Sequence, residues 1–206
     1  MLATSVYQLN LWVQTFAASY MAGGAISVLN FGQNIQSLPV GLVGVALSSA
    51  IFPTLTEIAF YGQREKMRLK IIKALRMILF IILPLTLFLI VLRAQAVRVI
   101  LGAGHFDWLD TYLTAKVVGY FAVSLFAQCF ILLLNQVFFA LKDTWTPFKI
   151  SFLSFVVNSV LIFLFTARLE FLPRLGPEGV ALAFSLAAFF QACLLILKLK
   201  GKIGSF

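Results

Sequence analysis

The feature that most constrains this chain is the absence of charge over long stretches. Residues 1–56 contain no Asp, Glu, Lys or Arg, and the same holds for 77–92, 117–141, 150–167 and 179–197. A helix of about 20 apolar residues crosses the hydrocarbon of a bilayer, where an unpaired charge is costly. Charges confined to short islands between such stretches predict an all-α polytopic membrane protein. The composition agrees, with 62% hydrophobic and 11% charged residues, against about 45–50% and about 25% in soluble domains. Soluble enzyme, disordered tail and nucleic-acid binder are set aside on this ground. Sixteen Lys and Arg against seven Asp and Glu give a net charge of +9. The positive charges flank the apolar stretches and form no free-standing patch, so they read as membrane topology.

The boundaries follow from length and from breakers. Gly23-Gly24 divide the first uncharged run into span A (2–21) and span B (25–57). A straight span B would measure about 50 Å at 1.5 Å per residue. It is expected either to bend at Pro39, which cannot donate to the Ile35 carbonyl, or to project beyond the bilayer. Span C covers 71–93, with a kink expected at Pro84, span D 112–141, span E 147–168 and span F 177–198. The six spans form a single domain over 1–206, with no internal repeat legible between A–C and D–F. Two helix starts are signalled: Thr146 as a capping hydroxyl before Pro147, and Pro177-Glu178 after Gly176.

The connections set the expected orientation. Arg64, Lys66, Arg68, Lys70, Lys73 and Arg76 lie between B and C, Lys142 and Lys149 flank the D–E turn, and Lys198, Lys200 and Lys202 follow F. They outnumber Arg93, Arg98, Lys116, Arg168 and Arg174 on the other side, which predicts that both termini are cytoplasmic. The basic, amphipathic stretch 61–76 suits the anionic inner leaflet. Cys129 and Cys193 fall within apolar stretches and read as inert thiols. The N-terminal run lacks a basic flank and carries Gln8, Asn10 and Gln14, so it reads as a retained span and not a signal peptide.

Inside the spans the informative groups are uncharged amides. On span A, Tyr7, Gln8, Asn10, Gln14, Thr15 and Ser19 share one half of the helical wheel. On span B, Asn30, Gln33, Asn34 and Ser37 share a stripe. Hydrocarbon offers such groups no partners, so both faces point at protein or at a water-filled cavity. Interhelical hydrogen bonding is one reading; a hydrophilic cavity for a polar ligand is the other, and the shared stripe favours it. Asn135, Gln136, Asn158, Ser159 and Gln191 are more scattered and read as packing contacts. His105, in the turn Gly102-Ala103-Gly104-His105-Phe106-Asp107, reads as a solvated loop residue. No carboxylate pair, metal-ligand spacing or nucleophile triad lies within the spans. An enzyme is not expected, nor a cofactor or metal.

Four segments resemble the MurJ (MviN) family of lipid II flippases, within the wider superfamily of polysaccharide and drug exporters. They are Gln8-Leu9-Asn10 with Phe16-Ala17-Ala18-Ser19 and Gly24-Ala25-Ile26-Ser27, then Gln36-Ser37-Leu38-Pro39-Val40-Gly41 running on to Phe52-Pro53-Thr54-Leu55, then Gly104-His105-Phe106-Asp107, and finally Ala140-Leu141-Lys142-Asp143-Thr144-Trp145-Thr146-Pro147 with Asn158 after it. Their order and spacing cover nearly the whole chain. The resemblance implies six transmembrane helices forming one lobe of a MurJ-type exporter fold, the second lobe (spans seven to twelve of fourteen). Met1 opens almost flush with a span, which fits a fragment or one half of a split transporter.

The resemblance further implies a lipid-linked precursor as substrate, moved outward by alternating access, with membrane lipids and an N-terminal lobe or partner chain as partners. Gln8, Gln14, Asn30, Gln33 and Asn34 would line this lobe's share of the central cavity, and Pro39 and Pro84 would serve as bending points. Two departures stand out. Asn34 occupies the position of a family arginine, and an amide cannot neutralise a phosphate. The positions matching a sodium site found in some members hold Gln14, Asn158, Ile162 and Phe184, of which only Asn158 is retained, so no sodium site is expected. Export of another lipid-linked saccharide, or a non-transporting lobe that partners another membrane protein, are the alternatives.

Overall fold

In hydrocarbon every backbone N–H and C=O must find its partner within the protein, and a helix achieves this locally. The computed structural model describes residues 2–21, 23–101, 108–166 and 176–203, and among these it contains helices and no strand. In chain order they are α1 (Leu2–Ser19), α2 (Ala25–Pro39), a π-helical segment (Val40–Val45), α3 (Ala46–Phe60), α4 (Arg64–Val91), α5 (Arg93–Leu101), α6 (Trp108–Val123), α7 (Leu125–Ala140), α8 (Trp145–Thr166) and α9 (Pro177–Ile203). The turn containing His105, together with Arg168 and Arg174, lies outside the described residues.

Among the described residues four helical stretches are long and apolar enough to cross a membrane, and the bent pair α6–α7 makes a fifth if it is one span. The stretch read as span A is α1, which carries Gln8, Asn10 and Gln14 and is not among these apolar stretches. It is packed along α8 and against α2, so protein covers part of what lipid would not solvate.

Span B is one continuous helical stretch of 36 residues, Ala25–Phe60. Pro39 cannot donate to the Ile35 carbonyl, and the ladder continues beyond it as a π-helical turn and not as a break. At about 1.5 Å per residue this stretch is far longer than the hydrocarbon is thick, so it projects beyond it. The wider turn brings Gly44 against α7, where a Cβ would lie 3.0 Å from Cys129 Sγ and from Leu132 Cδ1.

Three points refine the reading from sequence. The basic stretch after Gly62 is the start of α4, which runs unbroken through Pro84 to Val91. Met67, Ile71 and Ala74 face the core, so the stretch is held by packing on the same face as Ile78 and Ile82. Span D is not one straight helix, because α6 and α7 meet at Ser124 with a bend of 44°. Finally, α8 begins at Trp145 and is capped by Asp143: its carboxylate accepts from the Thr146 N–H (3.0 Å) and the Thr146 hydroxyl (2.6 Å). The start of α9 at Pro177, with Glu178 in its first turn, is as expected.

The bent α6–α7 span is the central pillar. It touches α2, α3, α4 and the π-helical segment on one side and α9 on the other. Val117, Val118, Phe121, Ala122, Leu125, Cys129, Leu133, Leu134, Val137 and Phe138 along it are fully buried. Outward-facing residues such as Leu42, Phe80, Val91 and Phe163 are exposed and apolar, as a lipid-facing surface requires.

Charges pair at opposite ends of this bundle. At one end Lys116 on α6 meets Glu178 on α9 at 3.1 Å, and Arg98 lies 4.5 Å over the Trp108 ring. At the other, Lys202 bridges to Asp143. Burial alone would raise the Asp143 carboxyl, but hydrogen bonds from Lys202 and Thr146 outweigh it and hold it down at about 2. The turn there is tight: the Asp143 N–H returns to the Phe138 carbonyl and the Lys142 N–H to Phe139, which places Lys142 at φ 58°.

The bend at Ser124 is repaired by a side chain from another helix. Breaking the ladder frees the Phe121 carbonyl, which accepts from the Ser124 N–H (3.0 Å), the Ser124 hydroxyl (2.8 Å) and Gln36 Nε2 (3.1 Å). Gln36 Nε2 also donates to Ser124 Oγ (2.8 Å), as does Gln128 Nε2 (2.9 Å). Ser124 thus spends its one proton and accepts twice, and Gln36, 2% exposed, spends both amide protons. Gln36→Leu keeps the volume and removes both donors. It is expected to cost about 1–2 kcal/mol, read as a lower unfolding midpoint in detergent, whereas Gln63→Leu on the exposed α3–α4 turn leaves it unchanged.

Candidate functional site

A cavity of about 460 Å³ lies between α1, α2, the π-helical segment and α7–α9. Its lining follows helical spacing on every wall. The α2 wall carries Gln33, Gln36 and Ser37, continued by Val40, Gly41 and Val45. The α7 wall carries Gln128, Ile131, Leu132 and Asn135; α8 supplies Ser151, Ser154 and Asn158; α9 supplies Phe184, Ala187, Ala188 and Gln191; and α1 closes the space with Val6 and Asn10. The small residues on α8 and α9 let those helices approach closely. No lining residue is charged.

Most of the polar groups are tied into pairs between helices. Asn158 Nδ2 donates to Asn10 Oδ1 at 2.8 Å, joining α8 to α1, and Asn10 Nδ2 returns to the Val6 carbonyl at 3.4 Å. Gln191 Nε2 donates to Ser151 Oγ (3.0 Å) and Ser154 Oγ to the Ala187 carbonyl (3.0 Å), so α8 and α9 are laced along the cavity. Two amide oxygens, Asn135 Oδ1 and Asn158 Oδ1, are buried without a protein partner among the described residues. The site therefore offers neutral acceptors in an apolar-walled space and has nothing to balance an ion's desolvation.

Of the residues singled out from the sequence on the polar faces of spans A and B, Asn10, Gln33 and Ser37 line this cavity. Gln8, Asn30 and Asn34 are exposed, the last two on the edge of α2 beside Ser37, whose hydroxyl donates to the Asn34 carbonyl at 2.7 Å. Gln14 is 4% exposed, its Nε2 has no partner among the described residues, and it is not part of the cavity lining. Asn135, Asn158 and Gln191, read from the sequence as packing contacts, do line it. Asn158 and Gln191 are packing contacts as well, through Asn10 and Ser151. Gln36, Gln128, Ser151 and Ser154 were not singled out as cavity residues. Their signal was present in the spacings Ser151-Ser154-Asn158 and Gln128-Asn135, which place polar groups on one face of each helix. Ile162 is buried in an apolar cluster with Ala18 and Val180, and Phe184 packs edge-on to Phe121 at 5.5 Å.

A double-mutant cycle on Asn10→Ala and Asn158→Ala is expected to show coupling of about 0.6 kcal/mol, and no more than about 1.7 kcal/mol, the range of hydrogen bonds between membrane helices. Unfolding in detergent measures it, and strict additivity would mean that the pair does not hold α1 to α8.

Comparison with known proteins places this architecture. A family profile described as lipid II flippase MurJ matches residues 1–205. The probable lipid II flippase MurJ of Rickettsia prowazekii (strain Madrid E) is 29% identical over 196 residues, spanning 94% of this chain and 37% of that protein. That of Rhizobium tropici is 31% identical over 195 residues, spanning 94% and 35%. This chain therefore spans little more than a third of the length of these curated relatives. Among solved structures, lipid II flippase MurJ in an inward closed conformation superposes with a TM-score of 0.84 at 27% identity, over 98% of this chain and 43% of that one. A MATE protein in complex with MaD3S shares the fold, with a TM-score of 0.78 at 20% identity over 98% and 44%. Helices, sequence and superposition agree that the chain belongs to the MurJ lipid II flippase family, a family of membrane transporters and not of catalysts.

Proposed function

We propose that this chain acts as one six-helix lobe of a flippase that moves undecaprenyl-pyrophosphate-linked peptidoglycan precursor outward across the bacterial inner membrane. The observation that carries this is the superposition of nearly the whole chain on less than half of a lipid II flippase. A second lobe, on a partner chain or on further sequence, completes the transporter, and transport proceeds by rocking of the two lobes.

In this arrangement the exposed amides of α1 and α2 face the partner lobe. Gln8, Asn30 and Asn34 line this lobe's share of the central cavity, Gln33 stands at the boundary with the cavity inside the lobe, and Gln14 supports the α1 wall from its buried position. The end of the bundle carrying Arg64, Lys66, Lys142, Lys149, Lys198, Lys200 and Lys202 faces the cytoplasm, which puts both termini there. Amides orient a saccharide or pyrophosphate by hydrogen bonds and leave neutralisation of its charge to cations on the other lobe.

A second reading, export of another lipid-linked saccharide, is favoured by the uncharged α1–α2 face, with Asn34 exposed upon it. Complementation of a flippase-depleted strain tests both. Growth is expected when this chain is co-expressed with a first lobe from a MurJ relative. Failure with Asn34 but growth with Asn34→Arg supports the second reading, and failure of both removes the lipid II function from this polypeptide.

A further inference from the structure

Two buried amides on facing helices each keep one group without a partner, and they lie one turn apart. Gln14 on α1 is 4% exposed and its Nε2 meets no acceptor among the described residues. Asn158 on α8 is 1% exposed and its Oδ1 meets no donor among them. A buried donor and a buried acceptor left unpaired both cost free energy, which one contact between them would recover. The covered stripe of α1 is Val6, Asn10, Gln14 and Ala18, at a spacing of four, and α8 presents Ser154, Asn158 and Ile162 at the same spacing. The bond from Asn158 Nδ2 to Asn10 Oδ1 sets their register. The two helices run parallel, because Val6 shares the cavity wall with Ser154 while Ala18 shares an apolar cluster with Ile162. Apolar Val6 therefore stands level with Ser154, and Gln14 stands level with Ile162, whose side chain offers no acceptor.

Moving α1 by one turn, about 5.4 Å, toward the α7–α8 turn removes these mismatches together. Gln14 then takes the place of Asn10 and reaches Asn158. Ala18 comes level with Ile162, apolar on apolar, and Asn10 comes level with Ser154 on the polar cavity wall. The Ser154 hydroxyl already donates to the Ala187 carbonyl, so it gives up no bond in the exchange. Little else fixes α1 along its axis. Leu9, Trp12, Phe16 and Tyr20 on its far face are exposed, and it joins α2 through Gly23 and Gly24, with Gly24 at φ 90° and open space around both. We infer that α1 is a two-position element that ratchets by one turn along α8, with Asn158 holding Asn10 in one position and Gln14 in the other. The structure shows the Asn10 position. The shift changes the α1 wall of the cavity from Val6 and Asn10 to Asn10 and Gln14, from one amide to two. The device follows from the packing of this lobe alone and does not depend on the transport function proposed above.

Double electron–electron resonance on the full chain in detergent tests it. Spin labels are placed on Trp12→Cys, on the exposed face of α1, and on Thr144→Cys, exposed just before α8, in a background carrying Cys193→Ser. The two positions are separated mainly along the helix axes, so the shift shortens the distance between labels by about 5 Å. The parent is expected to show a main population at the longer distance and a minor one about 5 Å shorter. Asn10→Leu leaves Asn158 to Gln14 alone and is expected to raise the short-to-long ratio about threefold, the effect of one average hydrogen bond between membrane helices. Asn10→Ala, which adds no bulk, is expected to move the ratio the same way. Gln14→Leu is expected to abolish the short population, whereas Gln8→Leu, on the exposed side of α1, leaves both populations unchanged. A single distance in the parent and in both Asn10 variants, or a short population that survives Gln14→Leu, overturns the inference.

Discussion

The lobe depends on how the bend at Ser124 is made tolerable. A break in a helix exposes backbone polar groups, and in hydrocarbon no water satisfies them. Here the break falls in the middle of the central pillar, and Gln36 from α2 meets the freed Phe121 carbonyl and the Ser124 hydroxyl together. One amide thereby fixes where α6 turns into α7 and how α2 docks on it. The lower part of the pillar, redirected by 44°, meets α3, α4 and α9 around Leu134, Val137 and Phe138. The upper part meets α2 and α9 around Val117 and Phe121.

The interior built on this pillar is polar yet uncharged. Charged groups pair at the two ends of the bundle, as Lys116–Glu178 and Lys202–Asp143, where water and headgroups lower their cost. Between them the helices are joined by amides and hydroxyls, Asn10 to Asn158 and Ser151 to Gln191. Such contacts are weak individually and hold the helices together by their number. The π-helical turn after Pro39 lies on the same wall and brings Gly41 to the mouth of the cavity and Gly44 hard against α7.

Much of this was legible in the residues. Charge islands gave the helical stretches, and the four-segment resemblance gave the family, because both depend on local composition and spacing. Pro39 signalled a disturbance, though whether it bends the helix or widens one turn depends on what packs beside it, here α7. The bend at Ser124 carried no comparable signal. It contains neither proline nor glycine, and it is stable only because a glutamine 88 positions away in sequence repairs it. The same non-locality hid the cavity. Asn135, Asn158 and Gln191 look scattered along the chain and converge only once α7, α8 and α9 pack. The exposed amides of α1 and α2 were visible as a stripe, but a helical wheel does not distinguish a face turned outward, like that of Asn34, from one turned into the lobe, like that of Gln36.

The central claim is that the exposed amide face of α1 and α2 meets water and a partner lobe, while the apolar exposed residues meet lipid. Cysteine labelling in intact membranes with a polar maleimide measures this directly, in a background where Cys193, exposed on α9, is replaced by serine and Cys129 stays buried. Asn34→Cys and Asn30→Cys should react readily and Phe80→Cys, on the apolar face of α4, should not. Equal protection of Asn34→Cys and Phe80→Cys would place the amide face in lipid and contradict the assignment of this chain as a transporter lobe.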